Sequence, residues 1–197
     1  AFDAQPRSRF LPASVRARAS VDAPLPIGFG QTNSQPTTVR NMLALLDVQP
    51  GMRVLEVGAG TGWVSALLAE LTGPSGSVLG TERIARLALL GQANLEEAGL
   101  TWARLVPSGD VLGAPDEAPF DRILVSAMAR RMPRSLVTQL RAGGVLVAPV
   151  AAVFAAGAAA HLAAFWIAGR LHPRLGEARI RMEPAPARGA PPPEGQL

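Results

Sequence analysis

The sequence predicts an α/β fold with a doubly wound, mostly parallel sheet. Short apolar runs alternate with helical segments, and the first of these runs breaks directly into a glycine-rich turn. The length of 197 residues suits one such domain with a substantial core.

The predicted elements follow each other regularly along the chain. Val39, Met42, Leu43 and Leu46 recur at helical spacing, and Pro50 with Gly51 ends this first helix. The later strands are predicted at residues 52–57, 76–82, 102–110, 120–128 and 143–150, and the helices between them at 63–73, 83–99 and 134–144.

The last third of the chain predicts a divergent ending. An alanine-rich connection over residues 151–160 is expected to be mobile, and residues 161–169 and 177–184 are expected to form a strand pair at the far edge of the sheet. We therefore divide the chain into an N-terminal substrate-side segment at 1–26, a domain at 27–184 and a disordered low-complexity tail at 185–197.

Composition excludes several classes of protein. All 19 basic residues are arginine and lie scattered along a chain of net charge +4, which argues against nucleic acid as a partner. The sequence has no cysteine and two distant histidines, so neither a disulfide framework nor a metal site is expected. Because no signal-peptide pattern is present, we expect a cytoplasmic protein, and we expect it to be a monomer.

A membrane span at residues 145–169 is an alternative interpretation. This segment carries no formal charge and is long enough to cross a bilayer. Its high alanine content, Pro149 and His161 favour buried strands instead.

The glycine turn and the acids around it predict a cofactor site. Glycines stand at positions 58, 60 and 62, whereas the dinucleotide fingerprint would need a glycine where Trp63 stands, which argues against NAD. Glu56 lies just before the turn and can accept from a cationic amino-acid end. Glu82 ends the next strand, where a carboxylate can bind ribose hydroxyls, and Asp110 ends the third, where it can receive an adenine amino group.

A polar stretch at residues 27–38, IGFGQTNSQPTT, precedes the first predicted helix. Its hydroxyls and amides can bind a ligand. Alternatively, the stretch is a turn in which Ser34 or Thr37 caps the helix that starts near Pro36.

Several motifs carry a family resemblance. The stretches VLEVGAGTG, GTER and SGD resemble the S-adenosylmethionine-binding motifs of class I methyltransferases, which have a Rossmann-like fold. The segments AFDAQPRSRFLP, DAPLPIGFGQTNSQPTTV and APFDRILVSAMARRMPRSLVTQLRAGGVLVAPV resemble the protein-L-isoaspartate (D-aspartate) O-methyltransferase family over roughly residues 1 to 150. The Gln-Thr-x-Ser-x-Pro loop is the most specific of them, because generic methyltransferases do not share it.

The resemblance implies an enzyme of protein repair that transfers a methyl group from S-adenosyl-L-methionine to the free α-carboxylate of L-isoaspartyl residues in proteins or peptides. It implies Ser34 as the active-site serine with Thr32 beside it, and Asp22 and Gln31 on the side of the substrate peptide. It implies cofactor contacts for the turn and the strand ends, namely Glu56, Gly58, Gly60, Gly62, Glu82 and Asp110.

Three other functions stay open on the sequence alone. A relative could methylate a normal aspartate in a ribosomally made peptide precursor. A catalytically silent module could keep the fold and bind the cofactor without turnover. A membrane-attached protein could be built around residues 145–169.

Overall fold

The computed structural model describes residues 1–128, 134–152, 163–171 and 178–184. The strands in this part of the chain are β1 Leu25–Gly28, β2 Gln31–Asn33, β3 Arg53–Val57, β4 Ser77–Glu82, β5 Ala103–Pro107, β6 Phe120–Val125, β7 Leu140–Ala152, β8 Ala163–Leu171 and β9 Ala178–Pro184. The α-helices are α1 Ala13–Arg16, α2 Pro36–Leu46, α3 Trp63–Thr72, α4 Ala85–Glu97 and α5 Arg134–Val137, with 3-10 turns at Arg7–Phe10 and Pro115–Glu117.

Seven strands form one sheet in the order β5-β4-β3-β6-β7-β8-β9. The neighbours from β5 to β7 are parallel, while β8 and β9 are added antiparallel. The predicted doubly wound sheet with a C-terminal strand pair is therefore confirmed. The chain winds outward from β3 to β5 and then returns to the other side of β3, so the carboxyl end of β3 lies where ligands bind in folds of this type.

The sheet is buried on both faces, as its apolar strands predict. Val54 of β3 packs with residues of α2, α3 and α4, such as Leu46 and Leu67. Its neighbour Leu55 points to the opposite face and packs with Leu136 of α5. The alternation fixes the register of the strand and therefore the position of the turn that follows it.

Two sequence predictions differ from the structure. The predicted helix 134–144 is wrong in its second half: α5 ends at Val137, and β7 already begins at Leu140. Gly143 has a φ of +77°, and the pairing of β6 with β7 shifts between Leu140 and Val145, so this end of β7 is bulged. The predicted loop at 27–38 contains the hairpin of β1 and β2, whose turn residues Phe29 and Gly30 have φ of 53° and 70°. Positive φ at both positions is typical of a two-residue hairpin turn.

The N-terminal segment is packed into the rest of the chain. Phe10 belongs to the main core, and Leu11 packs with Leu25 of β1 and Leu87 of α4. Residues 1–26 therefore share their packing with the domain that was predicted to begin at residue 27.

Arg7 is the buried cation of this segment, with 5% of its surface exposed. Its guanidinium donates to the Asn33 side chain at 2.7 Å and to the main-chain carbonyls of Ala19, Val21, Ala23, Asn33 and Ser34 at 2.8 to 3.4 Å. It also lies 5.4 Å from the centre of the Trp63 ring. Burial lowers the pKa of the Arg7 guanidinium, and the negative charge of the nearby Asp22 opposes this only in part. The side chain joins two separate stretches of backbone, 19–23 and 33–34, to Trp63 at the start of α3.

At the C-terminal end, β8 and β9 confirm the predicted strands at 161–169 and 177–184, with ends shifted by a few residues. The tail 185–197 and residues 153–160 of the alanine-rich connection lie outside the described residues. No helix in the described ranges is both long and apolar enough to cross a membrane.

Replacing Arg7 with methionine tests how much the fold depends on this guanidinium. We expect the free energy of unfolding, measured by urea titration, to fall by about 3 kcal/mol, because buried acceptors that lose their donor cost about 1–3 kcal/mol each. Arg9→Met is the matched control, since Arg9 is exposed and donates a hydrogen bond of 3.3 Å to the Glu97 carbonyl. Equal losses in the two variants would contradict the role given to Arg7.

Candidate functional site

The glycine turn stands at the carboxyl end of β3, at the point where strand order reverses. Gly58, Gly60 and Gly62 all have positive φ, at +87°, +56° and +86°. The backbone N–H groups of Gly58 and Ala59 donate to the Thr81 carbonyl at 2.8 and 3.1 Å, which ties the turn to the end of β4. A side chain at these positions would need a strained backbone, so glycine suits them on conformational grounds.

Close packing adds a second reason for glycine in the turn. A Cβ atom on Gly62 would lie 3.0 Å from the carbonyl oxygen of Gly91 in α4, and one on Gly60 would lie 3.1 Å from Ile27 Cδ1 in β1. The turn is therefore enclosed by α4 on one side and by the hairpin on another.

Glu82 orients the turn through its carboxylate. Gly60 N donates to Oε2 and Ile84 N donates to Oε1, both at 2.9 Å, and 7% of the residue is exposed. Each oxygen keeps acceptor capacity beyond these bonds. A carboxylate held in this way at the end of β4 can accept further hydrogen bonds from hydroxyl groups of a ligand bound beside the glycine turn.

Glu56 is a second acid in the site and is completely buried. Ser65 Oγ in α3 donates to Oε2 at 2.5 Å, and Ser126 Oγ, directly after β6, donates to Oε1 at 2.6 Å. Burial, with a smaller effect from the charge of Glu82, raises the pKa of Glu56 to about 7 against the opposing effect of the two hydroxyls. At neutral pH the group is therefore poised between its two protonation states.

The polar hairpin strand and the glycine turn face one cleft. The residues that line it are Ile27, Thr32, Asn33, Ser34, Glu56, Gly58, Ala59, Gly60, Thr61, Trp63, Val64 and Ser126. The structure thus brings Ser34 and Thr32 together with Glu56 and the turn, as expected if a methyl acceptor and its donor meet there. Arg7 holds this strand in place through the main-chain carbonyls of Asn33 and Ser34, and in the described part of the chain no hydrogen bond is made by the Ser34 hydroxyl.

Asp22 lies beside this strand and caps α2. Its Oδ1 accepts from Thr37 N at 2.9 Å, and its Oδ2 accepts from Gln35 Nε2 and Thr37 Oγ1, each at 2.9 Å. These bonds, that from Gln35 first, hold the pKa of Asp22 below its usual value. The helix lacks a capping side chain at its own N-cap residue Gln35. The alternative in which Ser34 or Thr37 supplies the cap is therefore wrong, because the cap comes from Asp22.

Five predicted site residues are not among those that line the cleft, namely Asp22, Gln31, Gly62, Glu82 and Asp110. Gln31 is exposed on β2, and its amide donates to the Phe29 carbonyl at 3.3 Å. Asp110 is exposed beyond β5. Gly62 is the N-cap residue of α3 and packs against Gly91 of α4.

Sequence reasoning missed Ser126 and Ser65 as members of the site. Ser126 directly follows the apolar strand β6. Glu82 was predicted as a site residue because it ends a strand, and the same reasoning could have identified Ser126. Ser65 lies within a predicted helix, and the pairing with Glu56 gives no signal in the sequence.

Comparison with known proteins shows the family of this chain. The model of the protein-L-isoaspartate(D-aspartate) O-methyltransferase (PCMT) family matches residues 1–158. A protein-L-isoaspartate O-methyltransferase from Methanopyrus kandleri (strain AV19) is 51% identical over 146 residues. This match covers 74% of the chain and 65% of the relative, so the chain spans less than two thirds of that protein's length.

Solved structures share the fold. One protein-L-isoaspartate O-methyltransferase has a TM-score of 0.75 at 23% identity, over 92% of this chain and 56% of its own. A beta-aspartate methyltransferase from Plasmodium falciparum, in complex with S-adenosyl-L-homocysteine, has a TM-score of 0.68 at 20% identity, over 92% of this chain and 83% of its own. By the extent of the family match and the identity to its relative, the chain belongs to the protein-L-isoaspartate(D-aspartate) O-methyltransferase family.

Proposed function

We propose that this protein transfers a methyl group from S-adenosyl-L-methionine to a carboxylate of a protein or peptide, namely the free α-carboxylate of L-isoaspartyl residues. The observation that carries the proposal is the shared cleft, in which Ser34 and Thr32 face the glycine turn and Glu56. The names of the M. kandleri relative and of the matching family support the substrate class.

The residues present fit this cofactor. Its cationic amino group suits the Glu56 carboxylate, and its ribose hydroxyls suit Glu82, whose oxygens are already oriented by Gly60 N and Ile84 N. Gly58 and Gly60 line the cleft with backbone alone, so a ligand there meets main-chain groups and no side chain at these two positions. For the adenine amino group we propose Asp110, which is followed by the exposed apolar residues Val111 and Leu112.

The bound cofactor would supply an electrophilic methyl group on a sulfonium, and the protein's task is to align the acceptor. A carboxylate acceptor is ionised at neutral pH, so no strong base is needed. Ser34 and Thr32 can donate hydrogen bonds that orient this carboxylate without neutralising it, while Ile27 and Val64 line the same cleft with apolar surface that excludes water. Asp22 and Gln31 are proposed to contact the substrate peptide outside the cleft.

Glu82→Gln tests the cofactor site through binding rather than turnover. We expect the affinity for S-adenosyl-L-homocysteine, measured by calorimetry, to fall by about 1–3 kcal/mol, the range for hydrogen bonds to a charged group. Glu97→Gln, at an exposed position of α4, is the control and should bind like the wild type. If the wild type bound NADH and no S-adenosyl-L-homocysteine, the proposed cofactor would be wrong.

Ser34→Ala tests the acceptor side. Loss of one preorganised donor is expected to lower turnover by about 10- to 1,000-fold while cofactor affinity stays nearly unchanged. Thr32→Ala should have a milder effect, and Ser75→Ala, in an exposed loop, should have none. The assay uses labelled S-adenosyl-L-methionine and two peptides that differ only in an isoaspartyl or aspartyl linkage.

The outcomes of this assay separate the other candidate functions. Methylation of the aspartyl peptide alone would favour a modifying enzyme for peptide precursors. Cofactor binding without turnover on either peptide would favour a silent module. A Ser34→Ala protein with wild-type turnover would remove the serine from the mechanism.

Asp22→Ala separates a helix cap from a substrate contact. As a cap, Asp22 should contribute about 1 kcal/mol to stability at pH 7. Because its pKa is lowered on folding, this contribution is present above the unfolded pKa of about 4 and is lost as pH falls through the folded value. Urea unfolding at pH 7 and pH 3, with exposed Asp3→Ala as control, measures the difference. A raised KM for the isoaspartyl peptide with unchanged stability would instead indicate a substrate contact alone.

A further inference from the structure

The carboxylate of Glu56 has an unusual set of neighbours for a buried acid. It is fully enclosed, and each of its two oxygens accepts a hydrogen bond from a serine hydroxyl, one from α3 and one from the end of β6. The charged group that acts on it is Glu82, which is also negative. Two hydroxyl donors on one buried carboxyl stabilise its ionised form, since a protonated carboxyl would have to donate with one of these oxygens.

The two serines also fix the direction of the carboxylate. Ser65 lies in the first turn of α3 and Ser126 directly follows β6, so the donors approach from two elements on either side of the glycine turn. Glu56 and Ser126 both line the cleft. With one acceptor site on each oxygen occupied by a serine, each oxygen keeps acceptor capacity for one further donor.

We propose that Ser65 and Ser126 are positioning residues that favour the ionised form of the Glu56 carboxylate and aim it at the cationic amino-acid end of the cofactor. This inference rests on the proposed function, because it needs an amino-acid cofactor in the cleft. The two serines touch Glu56 rather than the reacting atoms, so their effect should be on cofactor affinity and on its pH dependence.

The sign of the pH dependence follows from the burial of Glu56. The pKa of Glu56 is raised to about 7, so a ligand that needs the anion binds fully above that pH and loses affinity below it. If only the ionised fraction is competent, affinity for S-adenosyl-L-homocysteine should fall about tenfold between pH 8 and pH 6. Removal of one donor disfavours the anion and moves this loss to higher pH.

Ser126→Ala is the decisive variant, and calorimetric binding of S-adenosyl-L-homocysteine from pH 6 to pH 8.5 is the measurement. We expect the midpoint to rise by about one pH unit, which weakens binding about fivefold at pH 7 and leaves it close to wild type at pH 8.5. Ser126→Thr keeps the hydroxyl and should restore the wild-type profile. Ser75→Ala is the control for a serine that lies in an exposed loop.

Glu56→Gln shows whether the titration belongs to this carboxyl. It should bind weakly and with no midpoint near pH 7. A midpoint that persists in Glu56→Gln, or an equal loss of affinity at every pH in Ser126→Ala, would overturn the inference. Failure of the wild type to bind at any pH would instead count against the proposed function. Ser65→Ala repeats the test from α3, and circular dichroism checks that each variant is folded.

Discussion

The buried guanidinium of Arg7 is the interaction on which the acceptor side of the cleft depends. The strand that carries Thr32 and Ser34 belongs to a two-stranded hairpin outside the main sheet, and so short a hairpin is not stable by itself. Arg7 stabilises the hairpin in place of contacts with the main sheet. Its rigid planar guanidinium donates to the carbonyls of Asn33 and Ser34 and also to those of Val21 and Ala23. Asp22 stands between the last two and reaches across to α2. One side chain thus positions both the proposed acceptor loop and the cap of the helix that follows it.

On the side of the proposed cofactor site, two carboxylates are held in fixed orientations by hydrogen bonds from other groups of the protein. Glu82 accepts hydrogen bonds from Gly60 N in the glycine turn and from Ile84 N just after β4, and Glu56 accepts hydrogen bonds from two hydroxyls. The negative charge of Glu82 acts on the buried Glu56, which disfavours two anions so close together and would favour a cationic ligand group beside them. Because their oxygens are oriented before any ligand arrives, little reorganisation is needed on binding.

The sequence predicted those features that depend on local pattern. The alternation of strands and helices followed from apolar runs of different spacing. The place of the glycine turn followed from the three glycines after β3, because positive φ angles favour glycine. The hairpin was not predicted, because its strands are only four and three residues long and β2 is held by Arg7 from 26 and 27 residues away. The cap on α2 comes from 15 residues away, which no local rule for capping detects. The helix was predicted to extend to residue 144 because the apolar residues of α5 are followed closely by those at the bulged start of β7, and the two sets look like one helical pattern in the sequence.

The divergent C-terminal strands are compatible with an intact site because of their place in the sheet. The cleft is formed by the ends of β3 and β6 and by the N-terminal hairpin, whereas β8 and β9 lie beyond β7, on the far side from β3. What β7 needs from β8 is a partner for its backbone groups, since an unpaired edge invites association with other chains. Many sequences with strand propensity can meet that need, so this edge is free to diverge. The residues around the cleft are fixed by individual hydrogen bonds, and they lie within the part of the chain that the family model matches.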